Sequence, residues 1–384
     1  MYFCNKKHNI LKLYCIFTLV LTLLVSCGQH QTGDNSTNID NATEASQEFD
    51  LDEIQQSGEL IVLTISGPQT CYDYHGTQLG VHIMLCQQLA DTLGVRLRIE
   101  LCRDTVELRE RLEKGDADLA AYPMKPCDES SPGWLLDNRK EQLNEVLTQW
   151  YGAWRMKRVG DEEQRLLAEA GHVRRHTYAV MENREAGIIS RYDALFQKYA
   201  RTVHWDWRLL AAQCYQESTF DPHALSFAGA KGLMQIMPQT ADHLGVARHQ
   251  LENPEHNLAA AVKYIAELDE NFDDIHDRRE RQNFILAAYN GGWHHVRDAM
   301  ALARRDGKND QVWSNVSEYV LKLSSPTYYQ DPLVKYGYMR GQETVDYVRL
   351  IRERFQQYRS AKTIVPNSTP QKSKNAKHRN KYKI

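Results

Sequence analysis

Four short segments in the second half of the chain carry side chains suited to acid–base chemistry on a bulky polar ligand. The first is Gln216-Glu217-Ser218-Thr219-Phe220-Asp221-Pro222. Helical spacing puts Leu210, Cys214 and Ser218 on one face of the preceding helix and Leu209, Gln213 and Glu217 on the neighbouring one. Glu217 thus falls in a last helical turn among partly apolar neighbours. Burial there disfavours the charged carboxylate and raises its pKa, which is what a general acid working near neutral pH needs. Asp221, one residue before Pro222, reads as a turn former.

The second segment runs from Ser226 to Ala241 (SFAGAKGLMQIMPQTA), a glycine-punctuated loop leading into a short apolar helix. Its glycines let the backbone approach a large ligand closely. Gln235 offers a fixed amide to hydroxyl or acetamido groups, and the methionines, Met237 included, line a wall. The third, Ala287-Ala288-Tyr289-Asn290-Gly291-Gly292-Trp293, is a helix end capped by glycines that presents Tyr289 and Asn290. The fourth, Gly341-Gln342-Glu343-Thr344-Val345-Asp346-Tyr347-Val348, puts Tyr347 on a helix, able to hydrogen-bond Glu217.

The elements that must position these groups are helices. Periodic segments at Asp206–Ser218, Leu258–Asn271, Arg281–Tyr289 and Thr344–Tyr358 make residues 186–360 an all-α domain. Residues 159–185 form a connector. Residues 51–158 read differently: a strand at Glu59–Ser66, a helix over Leu79–Leu93 with Val81, Leu85, Leu89 and Leu93 in one stripe, and a strand at Val95–Leu101. A helix marked by Leu108 and Leu112 and a strand at Ala117–Tyr122 follow. That β-α-β-α-β order implies an α/β domain with a parallel sheet.

The motifs E-S-x-F-x-P, G-A-x-G-L-M-Q-I-M-P-x-T-A, A-Y-N-G-G and E-T-x-x-Y-V, in this order, resemble the family 23 lytic transglycosylases of the goose-lysozyme-like fold. The resemblance implies a lysozyme-like domain that cleaves peptidoglycan glycan strands without cofactor or metal, using Glu217 as its single acid/base catalyst. It also implies that Ser226, Gln235, Met237, Asn290 and Tyr347 bind substrate or orient Glu217, with Tyr289 a further cleft residue. The neighbouring possibilities are a muramidase of the same fold and a non-catalytic peptidoglycan sensor.

The α/β half is similar to one lobe of a periplasmic solute-binding protein, through Gly58-Glu59-Leu60-Ile61-Val62, Leu93-Gly94-Val95 and Gly115-Asp116-Ala117-Asp118-Leu119-Ala120. Such proteins carry a second lobe after the third strand. Here the chain runs from Pro123 through Cys127 to Trp134, and Trp134–Trp150 resembles the returning helix, so one lobe is expected.

The remaining features set the compartment. Lys6, Lys7 and Lys12 precede the apolar run Ile16–Val25, too short for a comfortable membrane span, and Leu24-Val25-Ser26-Cys27 resembles a lipoprotein box. Residues 1–27 are therefore expected to be a signal peptide, with Cys27 lipidated; the alternative is an uncleaved anchor. Residues 28–50 are a polar tether, and Gly28 points to the outer membrane, facing the periplasm. Cys71, Cys86, Cys102 and Cys127 allow three disulfide pairings or buried free thiols. No CxxC or HExxH occurs, so no zinc site is expected. The net charge of -3 with balanced acids and bases excludes a nucleic-acid binder. The acid-free basic tail, 361–384, is read as solvated, with attachment to an anionic envelope polymer as the alternative.

Overall fold

The computed structural model describes residues 50–137, 139–170 and 173–361. The signal segment with Cys27, the tether up to residue 49 and the basic tail from residue 362 lie outside the described residues.

In the α/β part, α1 (Leu51–Ser57) ends on Gly58, whose left-handed φ of 72° turns the chain into β1 (Glu59–Ile65). A short hairpin follows, β2 (Tyr72–Tyr74) and β3 (Thr77–Leu79). Next come α2 (Val81–Leu93), β4 (Arg96–Cys102), α3 (Thr105–Lys114), β5 (Leu119–Ala120), β6 (Leu135–Leu136), α4 (Glu141–Trp150) and α5 (Ala153–Ala170). The sheet order is β4-β1-β5-β6. β1 pairs in parallel with β4, from Glu59↔Arg96 to Ile65↔Cys102, and with β5, while β6 runs antiparallel to β5. Three details depart from expectation, the first being that the strand expected over Ala117–Tyr122 is confined to Leu119–Ala120. Helix is expected throughout Trp134–Trp150, but Leu135–Leu136 closes the sheet edge and the helix starts at Glu141. The hairpin 72–79 is not anticipated by the sequence pattern, and it pushes the start of α2 from Leu79 to Val81.

The rest is helical: α6 (Asp193–Ala200), α7 (Trp207–Ser218), α8 (Pro238–His243), α9 (Pro254–Glu270), α10 (Arg278–Gly291), α11 (Trp293–Arg305), α12 (Trp313–Lys322), α13 (Pro326–Tyr329) and α14 (Gly341–Ser360). Its core is a continuous apolar cluster around Phe196, Leu209, Phe272, Phe284, Tyr319 and Ile351. The long helix α14 lies against α7, α10 and α12. No helix among the described residues is long and apolar enough to cross a membrane. Cys71, Cys86, Cys102 and Cys214 are buried free thiols, and Cys127 is an exposed one, so the disulfide alternative does not hold for them.

The two parts meet where β1 ends. Ser66 Oγ accepts from the Tyr338 amide at 2.9 Å, and Tyr72 packs edge-on against Tyr338 with centroids 5.3 Å apart. Tyr72 Oη also donates to Glu163 of α5 at 2.9 Å.

The glycine-punctuated loop is fixed from behind by Asn257, fully buried on α9. Its amide oxygen accepts from Met234 N at 2.8 Å, and its Nδ2 donates to Lys231 O at 2.8 Å and Leu251 O at 2.9 Å. Gly232 makes this approach feasible: at φ 78°, a Cβ there would collide with Leu251 O and the Asn257 amide. Asn257→Ala strands two buried backbone groups and a half-buried one, so it is expected to cost about 3 kcal/mol. Urea unfolding measures this, and an unchanged midpoint would contradict the anchoring role.

Candidate active site

Helix α7 organises the site by using two faces for two jobs. On one face, Ser218 Oγ donates to Leu233 O at 2.7 Å and Cys214 Sγ to the same carbonyl at 3.3 Å, clamping the glycine loop to the helix. On the neighbouring face, Gln213 and Glu217 stack one turn apart and share one partner. Gln213 Nε2 donates to Tyr347 Oη at 3.2 Å, and Tyr347 Oη donates to Glu217 Oε1 at 2.5 Å. Tyr347 comes from α14 and is 5% exposed, so the hydroxyl is delivered by a rigid, packed element.

The chain turns sharply after Glu217. Thr219 (φ 53°) and Phe220 (φ 65°) both adopt left-handed backbone, uncommon for non-glycine residues and costly for a β-branched one. The turn is held by Thr219 Oγ1 donating to His176 O at 3.0 Å, and by Asp221, which accepts from the amides of His176 (2.6 Å) and His223 (3.0 Å). Asp221 is thus a loop pin, as its place before Pro222 suggests. Arg175 donates to the carbonyls of Glu217 (2.9 Å) and Gln216 (3.3 Å), capping the helix end with positive charge.

Burial raises the Glu217 pKa from 4.5 to about 7, against the opposing pull of the Tyr347 hydrogen bond and of His75 and Arg175 nearby. A carboxyl in this state is protonated for much of the time near neutral pH, and so competent to give a proton and then take one back.

The site lines a cleft of about 440 Å³ that contains all the expected residues: Glu217, Ser226, Gln235, Met237, Tyr289, Asn290 and Tyr347. Several are committed to each other. Ser226 Oγ accepts from Ala230 N at 2.9 Å, Tyr289 Oη donates to Met234 O at 2.8 Å, and Asn290 Oδ1 accepts from Thr344 Oγ1 at 2.8 Å. Gln235, left-handed at φ 49°, donates its amide hydrogens to Ala224 O and Gly232 O at 3.1 and 3.0 Å. Its buried Oε1 has no hydrogen-bond partner among the described residues and is left as an acceptor.

The cleft also has a wall that the sequence pattern does not reveal: Asp73, Tyr74, His75 and Gly76 of the α/β hairpin. Tyr74 Oη donates to Glu343 Oε2 at 2.9 Å, and His75 Nε2 lies 3.7 Å from the same oxygen. Burial works against ionisation of Glu343, but His75, Tyr74 and Arg340 outweigh it and hold the carboxyl below the usual range. The only local signal is His-Gly between Tyr74 and Thr77, a two-residue hairpin turn. Among the described residues no cluster of His, Cys, Asp and Glu is arranged to hold a metal ion.

Residues 194–312 match the Transglycosylase SLT domain. Over 164 residues the chain is 43% identical to a Desulfosudis oleivorans protein named membrane-bound lytic murein transglycosylase F, in a stretch covering 42% of this chain and 35% of that relative. A protein of the same name from Aeromonas hydrophila is 28% identical over 459 aligned positions, covering 90% of this chain and 88% of the relative. Among solved structures, the 70 kDa soluble lytic transglycosylase SLT70 of Escherichia coli matches with 26% identity and a TM-score of 0.33, covering 44% of this chain and 24% of that one.

Two measurements probe the enclosed carboxyl. Replacing Tyr347 by Phe removes a bond that lowers the Glu217 pKa, so the alkaline limb of any activity profile is expected to move to higher pH; an unmoved limb would separate the two residues. Because the folded pKa lies above the unfolded value, Glu217 stabilises fully below about pH 4.5, and that contribution is lost as pH rises through 7. At about 1.4 kcal/mol per pH unit the loss is about 3 kcal/mol. Glu217→Gln is therefore expected to melt higher than wild type at pH 8 but not at pH 4, by calorimetry at both pH values.

Proposed function

We propose that this chain, which carries a transglycosylase SLT domain, is a lytic transglycosylase that cleaves the β-1,4 bond between N-acetylmuramic acid and N-acetylglucosamine in peptidoglycan. The observation that carries the reading is the half-buried carboxyl at the cleft, Glu217, raised to a pKa of about 7 and oriented by Tyr347.

Most glycosidases use a second carboxylate as nucleophile or base. The other carboxylates on this cleft are committed elsewhere: Glu343 to Tyr74, His75 and Arg340, and Asp73 to the Gly76 amide of its own turn. One group acting twice fits better. Glu217 protonates the glycosidic oxygen, and the C1–O bond breaks. The substrate's own 2-acetamido group stabilises the cation at C1. Glu217, now ionised, takes the proton of the C6 hydroxyl, whose oxygen bonds to C1 and closes a 1,6-anhydro ring. The proton count returns to its start and no water is consumed. Gln235 Oε1 serves as acceptor for a sugar hydroxyl or acetamido N–H; Ser226, Met237, Tyr289 and Asn290 shape the walls that hold the chain.

The α/β part is read as one lobe of a solute-binding-like domain whose second lobe is missing. Supporting this, 90% of 384 residues fill 459 aligned positions with the Aeromonas relative, leaving roughly 110 of its positions unmatched. Lipidation at Cys27 and an outer-membrane location complete the reading and agree with the relatives' being named membrane-bound.

Glu217→Gln is expected to abolish cleavage of purified peptidoglycan while keeping the native fold. Mass spectrometry of the wild-type products is expected to find anhydro ends. Products heavier by one water would make the enzyme a hydrolytic muramidase, and cleavage by the E217Q variant would remove Glu217 from the chemistry.

A further inference from the structure

A second hollow, of about 460 Å³, lies between the start of α10, the start of α12 and the middle of α14. It shares no lining residue with the active-site cleft. Tyr289 and Asn290 face the cleft from the C-terminal end of α10, whereas Arg279 and Asn283 line the hollow at the other end. Along the helix the two places are roughly 10–15 Å apart.

Part of the lining is apolar. Val348 is buried and Val345 half-buried, and Trp313 is held edge-on against Phe284 with ring centroids 5.5 Å apart. Beside them sits Arg352, a half-buried guanidinium. Its Nε donates to Asn283 Oδ1 at 2.5 Å, Nη1 to Gln282 Oε1 at 3.3 Å and Nη2 to Arg279 O at 2.9 Å. All three acceptors are neutral, and a guanidinium has five N–H groups, so each terminal nitrogen keeps one to give.

No carboxylate among the described residues pairs with Arg352. Arg349, on the same helix, is paired twice, with Asp346 at 2.8 Å and Glu353 at 3.0 Å. The acids lining the hollow are engaged with backbone: Glu280 accepts from Trp313 N at 2.7 Å, and Asp277 from the amides of Arg279 and Glu280 at 2.7 and 3.0 Å. Burial and the neighbouring Arg279 push the Arg352 pKa down to about 10, with Glu280 pulling the other way. A cation drawn partly out of water without a counter-charge is unfavourable, and an anion arriving from outside relieves it.

We propose that this hollow is a second binding site, for a small carboxylate with an apolar body such as the C-terminus of a short peptide. The remaining N–H groups of Arg352 suit the two oxygens of a carboxylate. Arg279, exposed at the rim, adds a second positive charge, and Trp313, Val345 and Val348 cover the apolar part. The site stands apart from the transglycosylase reading, and its test requires no cleavage.

The test titrates the full chain with N-acetyl-alanyl-alanine and with its C-terminal amide, followed by ligand-observed NMR and calorimetry. The acid is expected to bind, and the amide about tenfold more weakly or worse. Arg352→Gln is expected to weaken the acid by a similar factor, and Arg279→Ala by several-fold. D- and L-forms of the dipeptide separate a cell-wall stem peptide from an ordinary chain terminus; a preference for either supports the site. Equal binding of acid and amide, or no binding of either form, would overturn it. Full competition by inorganic phosphate, which has charge but no apolar body, would overturn it as well. So would wild-type affinity in a cooperatively melting Arg352→Gln variant. Should that variant not fold, the amide control and Arg279→Ala decide.

Discussion

Holding one carboxyl half-buried at the cleft is the constraint around which this protein is arranged. Removing a carboxylate from solvent is unfavourable unless it is neutralised or hydrogen-bonded. Glu217 is given one strong bond, from Tyr347, and otherwise left to hold its proton. Tyr347 is carried by α14, the longest of the C-terminal helices, which packs on α7, α10 and α12 together. It also needs the glycine loop held close, which falls to Ser218, Cys214, Tyr289 and Asn257. These residues form the frame, and the strained Thr219–Phe220 turn is tolerated because that frame over-determines it.

The α/β part shows a related economy. In open parallel sheets, ligands bind beyond the carboxyl ends of the strands. Here the end of β1 is occupied by the protein's own segment around Tyr338, tied through Ser66 and Tyr72. That end of the sheet seats the helical part, and the hairpin projecting from the junction becomes part of the cleft.

Much of the helical site is legible in the sequence because helix periodicity is local. The positions of Gln213 and Glu217 on one face of α7, and of Ser218 and Cys214 on the next, follow from spacing alone and are what the structure brings to Tyr347 and Leu233. Helices α11 and α12 fall outside the segments expected from periodicity, although their buried residues Val296, Ala299, Met300 and Ala303, and Val316 and Val320, keep helical spacing. Leu135–Leu136 looks helical because a two-residue edge strand leaves no alternation to detect. The hairpin wall is invisible for a different reason: its partners lie far along the chain, and no local pattern announces a contact between Tyr74 and Glu343.

That long span has a consequence for how the protein is made. Tyr74 and Glu343 are 269 residues apart, and Tyr347 lies 130 residues beyond Glu217. During synthesis the acid emerges long before the tyrosine that orients it, and the first wall waits for the last helix. A chain without its C-terminal helix therefore lacks the hydroxyl that orients Glu217. The pairing of Tyr347 with Glu217, and of Tyr74 with Glu343, is completed only when the C-terminal helix docks.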